Sequence, residues 1–489
     1  WHGIFQSQVA LWFAISQCAT VGVTDGAFIG VFETVSPLGM GAIVQLRDGR
    51  LMLISGNRAC FSSDGGRTWS KPKNLPTSFN GVIRLQSGAL GAYSSDLVFY
   101  ISRDDGKTWE RRGKIAVSSW RGSPYYDTMI QTSSGRLILP VRCTAAGHRG
   151  IYERTGAHGI IAGELLKIEG HAHWPEADIA FVYYSDDEGR TWHCSEGHII
   201  GWHEDGYGGM WPCDEPNVVE LRDGRLMMFC RTTLGRIYRV YSNDGGAHWD
   251  LPEVTNLASS YSPCRLRRIP KTGDLLCIWN QVSGDEIRAG YRRGRLSCAI
   301  SRDDGQTWEH FRTIDRIVLP IAGCVKPDHK PGMVRGLDFV GELPDEYGNV
   351  SYPNVAFFDD KAILMWLWQR VRPREGKVKL RIVSVEWFYQ DEKLPKLSKP
   401  IPRVIIAISN GKGGYKYASV HSEYIDGRFW VKLSDVARTI GVTIKHDMRA
   451  PLNQCITCLG FRAKYHDEHM DDPHDPRLYA FIVGRIEMR

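Results

Sequence analysis

An octapeptide that recurs five times constrains the fold of this 489-residue chain more than any other feature. Its pattern is Ser-x-Asp-x-Gly-x-Thr-Trp, and His248 replaces the threonine in the fourth copy. The copies are Ser62–Trp69, Ser102–Trp109, Ser185–Trp192, Ser242–Trp249 and Ser301–Trp308. The aspartate can accept backbone hydrogen bonds, the glycine tolerates positive φ, and the tryptophan buries a large surface. We therefore predict that each octapeptide, here called a box, is a turn that fastens two strands and does not itself bind a ligand.

A fainter repeat lies upstream of the boxes and reads as a strand, a turn and a second strand. Its copies are Ala42–Gly49, Gly81–Gly88, Thr128–Gly135, Asn217–Gly224, Arg265–Gly273 and Asn354–Asp360. Short strands at regular spacing, separated by turn residues, are typical of all-β proteins. Six copies, five of them closed by a box, predict an all-β chain folded as a six-bladed β-propeller of four-stranded blades.

The chain also shows signs of a second, smaller unit. We predict a propeller over residues 1–390, a Lys- and Pro-containing linker over 391–402, and a small α+β domain over 403–489 that stabilises or docks. In that domain Phe429–Gly441 reads as a strand followed by a short helix capped by Ser434. The long loops 144–178 and 310–345, like the C-terminal domain, are candidates for function or for subunit contacts in an oligomer.

Composition excludes several classes of function. The net charge of +6 is small for this length and includes no Lys/Arg block, so we predict no nucleic-acid partner. No apolar run reaches the roughly 18–20 residues that cross a bilayer, and the apolar stretch Val9–Cys18 is too short to be a clear signal peptide. Cys455 and Cys458 form the one close cysteine pair, which we interpret as structural thiols. We therefore predict neither a metal nor a cofactor.

Five boxes in a sixfold strand repeat resemble the sialidase superfamily of propeller glycoside hydrolases. The resemblance covers about residues 30–390. In that superfamily three arginines clamp the substrate carboxylate, a tyrosine paired with a glutamate is the nucleophile, and an aspartate is the acid/base. The resemblance also favours a secreted or extracytoplasmic location.

Four residues of this chain fall on the superfamily's pattern. The segment Asp214–Arg231 is similar to the stretch that joins the nucleophile's glutamate partner to the second arginine, which implies these roles for Glu215 and Arg231. Arg293 lies eight residues before the fifth box, as the third arginine does, and Tyr352 begins the sixth inner strand, where the nucleophile lies. The alternatives are a cross-strand ion pair for Glu215 and Arg231, and simple packing for Tyr352.

Two positions depart from the pattern. Gly39 occupies the place of the first clamp arginine, which leaves Arg58, or Arg149 and Arg154 of the long insertion, as candidates for that role. Ser78 occupies the place of the acid/base, for which Asp127 is the nearest candidate. An aspartate between aromatic residues and an apolar strand can have the raised pKa that proton donation needs. Capping of the strand is the alternative for Asp127.

These residues predict a retaining exo-glycosidase that removes a terminal sialic acid, or a related 2-keto acid sugar, from a glycan. The departures at Gly39 and Ser78 leave open a non-catalytic propeller that binds glycans or mediates assembly. A third alternative is a hydrolase or lyase acting on another polysaccharide, because lyases use Tyr/His pairs. The histidines of the insertion that motivate it are His148, His158, His171 and His173.

Overall fold

A computed structural model describes most of the propeller and part of the C-terminal unit. The described residues are 31–117, 122–144, 158–161, 164–167, 178–197, 199, 201–202, 210–211, 213–232, 235–282, 293–317, 348–370, 374–392, 403–409, 415–425, 428–432 and 458–461. Within them the secondary structure is β-strand apart from one 3-10 turn, Val385–Tyr389. No helix among these residues has the length and apolar character needed to span a membrane.

The strands follow one another along the chain with short connections. The first fifteen are β1 Phe32–Val35, β2 Ala42–Gln45, β3 Leu51–Ser62, β4 Lys73–Arg84, β5 Leu90–Ser94, β6 Val98–Ser102, β7 Glu110–Lys114, β8 Ile130–Gln131, β9 Leu137–Thr144, β10 His158–Ile161, β11 Glu164–Lys167, β12 Asp178–Ser185, β13 His193–Cys194, β14 Gly201–Trp202 and β15 Met210–Trp211. The others are β16 Asp214–Glu220, β17 Leu226–Arg231, β18 Arg236–Ser242, β19 Glu253–Ala258, β20 Arg265–Arg268, β21 Leu275–Trp279, β22 Arg295–Ser301, β23 Glu309–Arg316, β24 Gly348–Phe358, β25 Lys361–Arg370, β26 Glu375–Ser384, β27 Arg403–Ser409, β28 Tyr415–Ile425, β29 Arg428–Lys432 and β30 Cys458–Phe461.

Among the described residues, five antiparallel sheets make up the propeller. Four have four strands, in the orders β13-β12-β9-β8, β16-β17-β18-β19, β20-β21-β22-β23 and β1-β26-β25-β24. The fifth has six strands in the order β2 to β7. The prediction of an all-β propeller is thus confirmed, whereas the expectation of six separate blades is not. The first two repeats share one sheet because β4, at 12 residues, runs unbroken from the strand after the first box into the second inner strand, and pairs with both β3 and β5.

The inner hairpins have the turn chemistry that their sequence predicts. In the first, the Leu46 N–H donates to the Arg50 carbonyl and the Gly49 N–H donates back to the Leu46 carbonyl. Gly49 has a φ of +84°, a backbone conformation that glycine adopts without steric cost. The same pair of hydrogen bonds closes the turn at Gly224.

Each box forms the same hydrogen-bonded turn. In the second box the Ser102 hydroxyl donates to Asp104 Oδ1 over 2.8 Å, and the other aspartate oxygen accepts from the Thr108 hydroxyl over 2.7 Å. The Ser102 oxygen in turn accepts from the Gly106 N–H over 2.8 Å. Equivalent serine–aspartate bonds of 2.8–2.9 Å are present in the other four boxes, which confirms the predicted turns.

Arginines of the inner turns tie neighbouring repeats together. The Arg222 guanidinium donates to the carbonyls of Arg302, in the next box, and Gly273, in the next inner turn, each over 2.8 Å. Its backbone N–H donates to Asp304 Oδ2 over 2.8 Å. Arg47 makes the same contacts from the first repeat, to the box and the inner turn of the second, so the boxes also connect adjacent repeats.

The hydrophobic core is divided among clusters that lie between successive repeats. One cluster joins Phe229 of β17 to Leu266 and Trp279 of the following sheet, and all three side chains are essentially inaccessible. Another joins Ile43 of β2 to Ile363 and Leu380 of the last sheet, so the packing runs from the end of the propeller back to its beginning. Strand β1 completes the ring by pairing with β26 from Phe32↔Ile382 to Val35↔Lys379.

Several predictions concern residues outside the described part. The helix expected after Ser434 lies there, as do Cys455 and most of the loops 144–178 and 310–345. Within the first of these loops β10 and β11 form a two-stranded hairpin. The C-terminal unit contributes a four-stranded sheet, in the order β27-β28-β29-β30.

Candidate active site

The three predicted catalytic residues share a left-handed backbone conformation that residues other than glycine rarely adopt. The φ angles of Asp127, Glu215 and Tyr352 are +53°, +37° and +57°. Asp127 lies just before β8, and the other two lie near the starts of the inner strands β16 and β24. Left-handed backbone at non-glycine residues costs of order 1–3 kcal/mol and occurs preferentially at functional sites.

A repeated tripeptide produces two of these conformations. Glu215-Pro216-Asn217 and Tyr352-Pro353-Asn354 each shift the register of the strand pair at the same place, as a β-bulge does. Both asparagines are buried and bond to other sheets: Asn217 Nδ2 donates to the Cys264 carbonyl over 3.0 Å, and Asn354 Nδ2 donates to the Gly41 carbonyl over 2.8 Å and to Asp127 Oδ2 over 3.1 Å. The shared Pro-Asn pair is a signal in the sequence from which this repeated bulge could have been predicted.

Arg265 holds the three strand entrances together. It is fully buried, and its guanidinium donates to the carbonyls of Asp127 (2.9 Å) and Pro353 (3.3 Å) and to Asn217 Oδ1 (3.1 Å). A further bond of 2.5 Å goes to the Tyr126 carbonyl. Three neutral carbonyls and one neutral amide therefore take up the donors of this arginine, whose role in the site is structural.

Asp127 is a buried acid, and neighbouring arginines only partly offset the effect of burial on the pKa of its carboxyl. Burial raises the pKa of its carboxyl, although the nearby Arg267 and Arg265 and the Asn354 hydrogen bond oppose the shift. Arg267 Nη2 lies 3.9 Å from Asp127 Oδ2 and also donates to the Asp127 carbonyl. Burial and the neighbouring Arg265 lower the pKa of Arg267 to about 10. A raised pKa favours the protonated carboxyl, which is the form that a proton donor needs.

Glu215 and Arg231 form a buried ion pair across β16 and β17. Glu215 Oε2 lies 2.5 Å from Arg231 Nη1, and the two side chains are 10% and 4% exposed. Asp214, which is fully buried, lies 3.5 Å from the same nitrogen. Burial disfavours the charge on Arg231, yet Glu215, Tyr261 and Asp214 raise the pKa of Arg231 well above its ordinary value. Arg231 is therefore a firmly charged group inside the propeller.

Tyr352 lies beside these charges. The Arg293 guanidinium carbon is 5.5 Å from the centre of the Tyr352 ring, and the Tyr125 ring is 5.8 Å from it. Arg231 and Tyr125 each interact electrostatically with both Tyr352 and Glu215. The structure thus brings together four of the predicted residues, Tyr352, Glu215, Arg231 and Arg293, and Asp127 joins them through Arg265 and Asn354.

Arg58 is not part of this cluster. Its side chain is exposed on the section of β3 that pairs with Asn74, among the outer strands. Arg149 and Arg154 lie outside the described residues. A different arginine, Arg142 at the end of β9, reaches the site: its Nε lies 3.0 Å from Asp214 Oδ1.

Sequence reasoning missed five charged or aromatic members of the site. They are Arg142, Asp214, Tyr261, Arg265 and Arg267. Asp214, Arg265 and Arg267 lie within the repeat segments Asp214–Arg231 and Arg265–Gly273, yet their sequence neighbours do not distinguish them from ordinary strand residues. With all acids ionised, the five arginines 142, 231, 265, 267 and 293 exceed the three acids 127, 214 and 215 by two charges. Such an excess in a buried cluster favours an anionic ligand.

The fold and the site together define a class of protein. It is a β-propeller with acids, a tyrosine and an excess of arginines at the entrances of its inner strands. The chain belongs to the BNR repeat-like domain family, which residues 84–365, more than half of its length, match. One curated relative is a sialidase of Micromonospora viridifaciens, 33% identical over 179 residues, a stretch that covers 34% of this chain. These matches identify the chain as a member of the sialidase superfamily. The matched stretch spans 24%, about a quarter, of the length of that relative.

Solved structures with a similar course of the chain have low sequence identity. A protein of unknown function from Dyadobacter fermentans has a TM-score of 0.46 at 14% identity, with 73% of this chain and 99% of that one covered. Trypanosoma rangeli sialidase in complex with the inhibitor DANA has a TM-score of 0.39 at 14% identity, with 81% and 67% covered. A GH93 α-L-arabinofuranosidase of Fusarium graminearum, complexed with arabinobiose, has 0.40 at 13% identity, with 71% and 93% covered.

Proposed function

We propose that this protein is a retaining exo-glycosidase that hydrolyses a terminal sialic acid, or a related 2-keto acid sugar, from a glycan. The observation that carries the proposal is the convergence of Asp127, Glu215 and Tyr352, all with left-handed backbone, beside the arginine pair Arg231 and Arg293. The net positive charge of the cluster supports a carboxylated sugar as the ligand.

A tyrosine nucleophile suits this substrate. The anomeric carbon of a 2-keto acid sugar carries a carboxylate, which would repel an anionic nucleophile, whereas a neutral phenol approaches it freely. In the proposed reaction the Tyr352 oxygen attacks that carbon while Glu215 takes the phenol proton and Asp127 protonates the departing glycosidic oxygen. Water, deprotonated by Asp127, then cleaves the tyrosyl–sugar bond and Tyr352 recovers its proton. Sialidases are a recognised tyrosine exception among glycosidases.

The substrate carboxylate would have a second role, which is to compete with Glu215 for Arg231. Arg231 forms an ion pair with Glu215. A substrate carboxylate that binds Arg231 competes with Glu215 for the same guanidinium. Glu215 is then released from Arg231 and can turn toward Tyr352. The proposed substrate therefore helps to free the base that activates the nucleophile, and a neutral sugar would lack this effect.

The test of this function is turnover of a panel of aryl glycosides that includes α-sialosides and their 2-keto acid relatives. We expect release of the aryl group with retention at the anomeric carbon, measured by absorbance and by NMR of the first-formed product. Absence of turnover across the whole panel would overturn the proposal.

The clamp has its own test. Arg231→Ala and Arg293→Ala are each expected to weaken binding of a carboxylated sugar about 30-fold or more, since loss of one partner of a buried charge pair costs roughly 2–5 kcal/mol. Binding of the carboxyl-reduced analogue is expected to change far less. Arg239→Ala is the matched control, because Arg239 also contacts a tyrosine ring but lies elsewhere, on β18. Equal losses for both ligands would show that the two arginines are structural.

A non-catalytic glycan-binding propeller is the second candidate. Gly39 supplies no clamp arginine, and Glu215 is bound to Arg231. Binding of acidic glycans on an array, without hydrolysis of any of them, would favour this candidate. Products that absorb in the ultraviolet because they carry a new double bond would instead indicate a lyase.

Two finer features of the architecture are also proposals. We count the six-stranded sheet as two blades, because it contains two boxes and two inner hairpins, and because a hydrophobic cluster packs Val44 and Met52 against Phe79 and Leu90 within it. Equivalent clusters elsewhere lie between separate sheets. We further propose that residues 403–489 form an accessory domain, which expression of a chain ending at Glu392 would test by its folding and turnover.

A further inference from the structure

Tyr261 lies at the centre of the acid and arginine cluster, although no motif marks it in the sequence. It belongs to the connection between β19 and β20 and is 3% exposed. The Arg231 guanidinium carbon lies 3.7 Å from the centre of its ring, its hydroxyl donates to Asp214 Oδ2 over 3.1 Å, and its carbonyl accepts from Arg293 Nη2 over 2.9 Å. One residue therefore contacts both clamp arginines and the acid beside them.

The hydroxyl of Tyr261 determines what Asp214 does. Asp214 Oδ1 already accepts from Arg142 Nε over 3.0 Å and from the Glu215 N–H over 2.7 Å. Oδ2 accepts from Tyr261, and its distance to Arg231 Nη1 is the longer 3.5 Å. A buried carboxylate oxygen that lost the hydroxyl donor would turn to another donor, and Arg231 Nη1 is such a donor at 3.5 Å. The hydroxyl thus limits how far Asp214 neutralises this arginine.

The ring of Tyr261 determines the orientation of Arg231. A guanidinium recognises a carboxylate through two parallel N–H groups in one plane, so its plane must be held for bidentate binding. Stacking on an aromatic face fixes that plane. The carbonyl of the same residue accepts a hydrogen bond from Arg293, so Tyr261 holds both guanidinium groups in place.

We infer that Tyr261 is the positioning residue that keeps Arg231 and Arg293 aimed at a single anionic group of the ligand. The inference rests on the proposed function in so far as that group is the sugar carboxylate. In this role Tyr261 favours acidic over neutral ligands without touching the reacting atoms.

Two variants separate the parts of Tyr261. Tyr261→Phe removes only the hydroxyl, and Tyr261→Leu also removes the ring. The matched control is Tyr241, which is 8% exposed, has the Arg225 and Arg239 guanidinium carbons 5.1 and 5.5 Å from its ring centre, and accepts a hydrogen bond from Gln306 over 3.1 Å. Tyr241→Phe and Tyr241→Leu reproduce the same chemical changes outside the site.

The first measurement is calorimetric binding of 2,3-dehydro-sialic acid and of its carboxyl-reduced, neutral analogue. Tyr261→Phe is expected to weaken binding of the acid roughly tenfold, the scale of one hydrogen bond to a charged group, and to leave the neutral analogue unchanged. The Tyr241 variants are expected to bind both as the unchanged protein does. Equal weakening for both ligands in Tyr261→Phe would overturn the inference.

The second measurement needs no ligand and therefore separates this inference from the proposed function. Phenylglyoxal modifies accessible arginines, and peptide mass spectrometry gives the rate at each position. Tyr261→Leu removes the ring under Arg231 and is expected to accelerate modification of Arg231 at least several-fold, with Arg239 unchanged. Arg293, which the retained backbone carbonyl still anchors, is expected to change much less. A wild-type rate at Arg231 would overturn the positioning role. If the unchanged protein bound neither sugar, the proposed function would fall and these rates would decide the positioning role alone.

Discussion

At the scale of single residues, groups of opposite charge in the site lie close enough to shift each other's pKa and to occupy each other's hydrogen-bonding atoms. Arg231 carries a firm positive charge because Glu215, Tyr261 and Asp214 raise its pKa, and the same contact occupies the carboxylate that would serve as the base. Asp127 shows the opposite effect, since its burial raises the pKa of an acid that lies beside two arginines. Neighbouring ionisable groups whose environments separate their pKa values are a common property of catalytic sites.

Replacement of the proposed nucleophile tests the roles of Tyr352 and Glu215. Tyr352→Phe keeps the ring against Tyr125 and is expected to fold normally, but to lose at least ~100-fold in kcat because no phenol oxygen remains. Glu215→Gln is expected to show a similar loss, since an amide does not accept the phenol proton. Steady-state kinetics measure both, with Tyr184→Phe, a tyrosine that stacks on Arg136, as the control. Near wild-type turnover with the same anomer released would reject the assignment.

The buried acid predicts a pH-dependent stability. The pKa of Asp127 is raised in the folded protein above the ordinary 3.8. As the pH rises from 3.8 through the higher folded value, the unfolded chain loses this proton first, so the free energy of unfolding falls. Asp127→Asn is expected to match the wild type at low pH and to become relatively more stable across that window. Urea unfolding at several pH values measures the difference, with the exposed Asp250→Asn as the control. A constant difference at all pH values would contradict the prediction.

At the scale of the element, the boxes are turns whose hydrogen bonds are local but whose contacts reach the next repeat. The Thr108 side chain and backbone lower the pKa of Asp104 to about 2, so this turn keeps its ion-assisted hydrogen bonds until strongly acidic pH. Arg222, by contrast, connects its inner turn to the next box and to the next inner turn. The box therefore stabilises both a hairpin and the junction between repeats.

The fourth box predicts a different pH response, because His248 replaces the usual threonine. Hydrogen bonds to Asp244 and Glu196 raise the pKa of His248 above its ordinary 6.5. Its stabilising contribution is complete below 6.5 and is lost as the pH rises through the higher folded value. His248→Thr is expected to abolish this change, measured as the urea midpoint at about pH 5 and about pH 9. An unaltered pH response in the variant would show that the histidine contacts do not contribute.

At the scale of the whole molecule, the propeller is closed by pairing the beginning of the described chain with its last sheet. Strand β1 covers the edge of β26, and Glu33 contacts Arg381 and Lys379 of that strand. This pairing joins the first repeat to the last, together with the packing of Ile43 against Ile363 and the hydrogen bond from Asn354 to the Gly41 carbonyl. An unpaired edge strand of this length is a template for aggregation.

Truncation tests the closure. A chain that begins at Ser36 lacks β1 and is expected to unfold at a lower temperature and to aggregate, because the β26 edge becomes exposed. A chain that begins at Val31 keeps β1 and is the control. Thermal unfolding and light scattering distinguish the two. Equal melting temperatures for the two chains would mean that the ring does not depend on this pairing.

The sequence by itself determined the local features. The boxes and inner turns are encoded within about eight residues, because serine, aspartate and glycine at fixed offsets satisfy one another's hydrogen bonds. Glu215 and Arg231 could be paired from sequence because they lie on adjacent strands of one hairpin. The repeats likewise predicted an all-β propeller.

Only the tertiary structure decided which distant residues meet. Arg265 contacts Asp127 and Tyr126 across about 140 positions of the chain, and Arg142 reaches Asp214 from another sheet, so no local pattern reveals either contact. The merging of the first two repeats into one sheet likewise depends on the unbroken course of β4, which pairs with both β3 and β5. Turn chemistry is satisfied among sequence neighbours, whereas buried charges must find partners wherever the closed ring brings them, and that convergence exists only once the sheets have packed around a common axis.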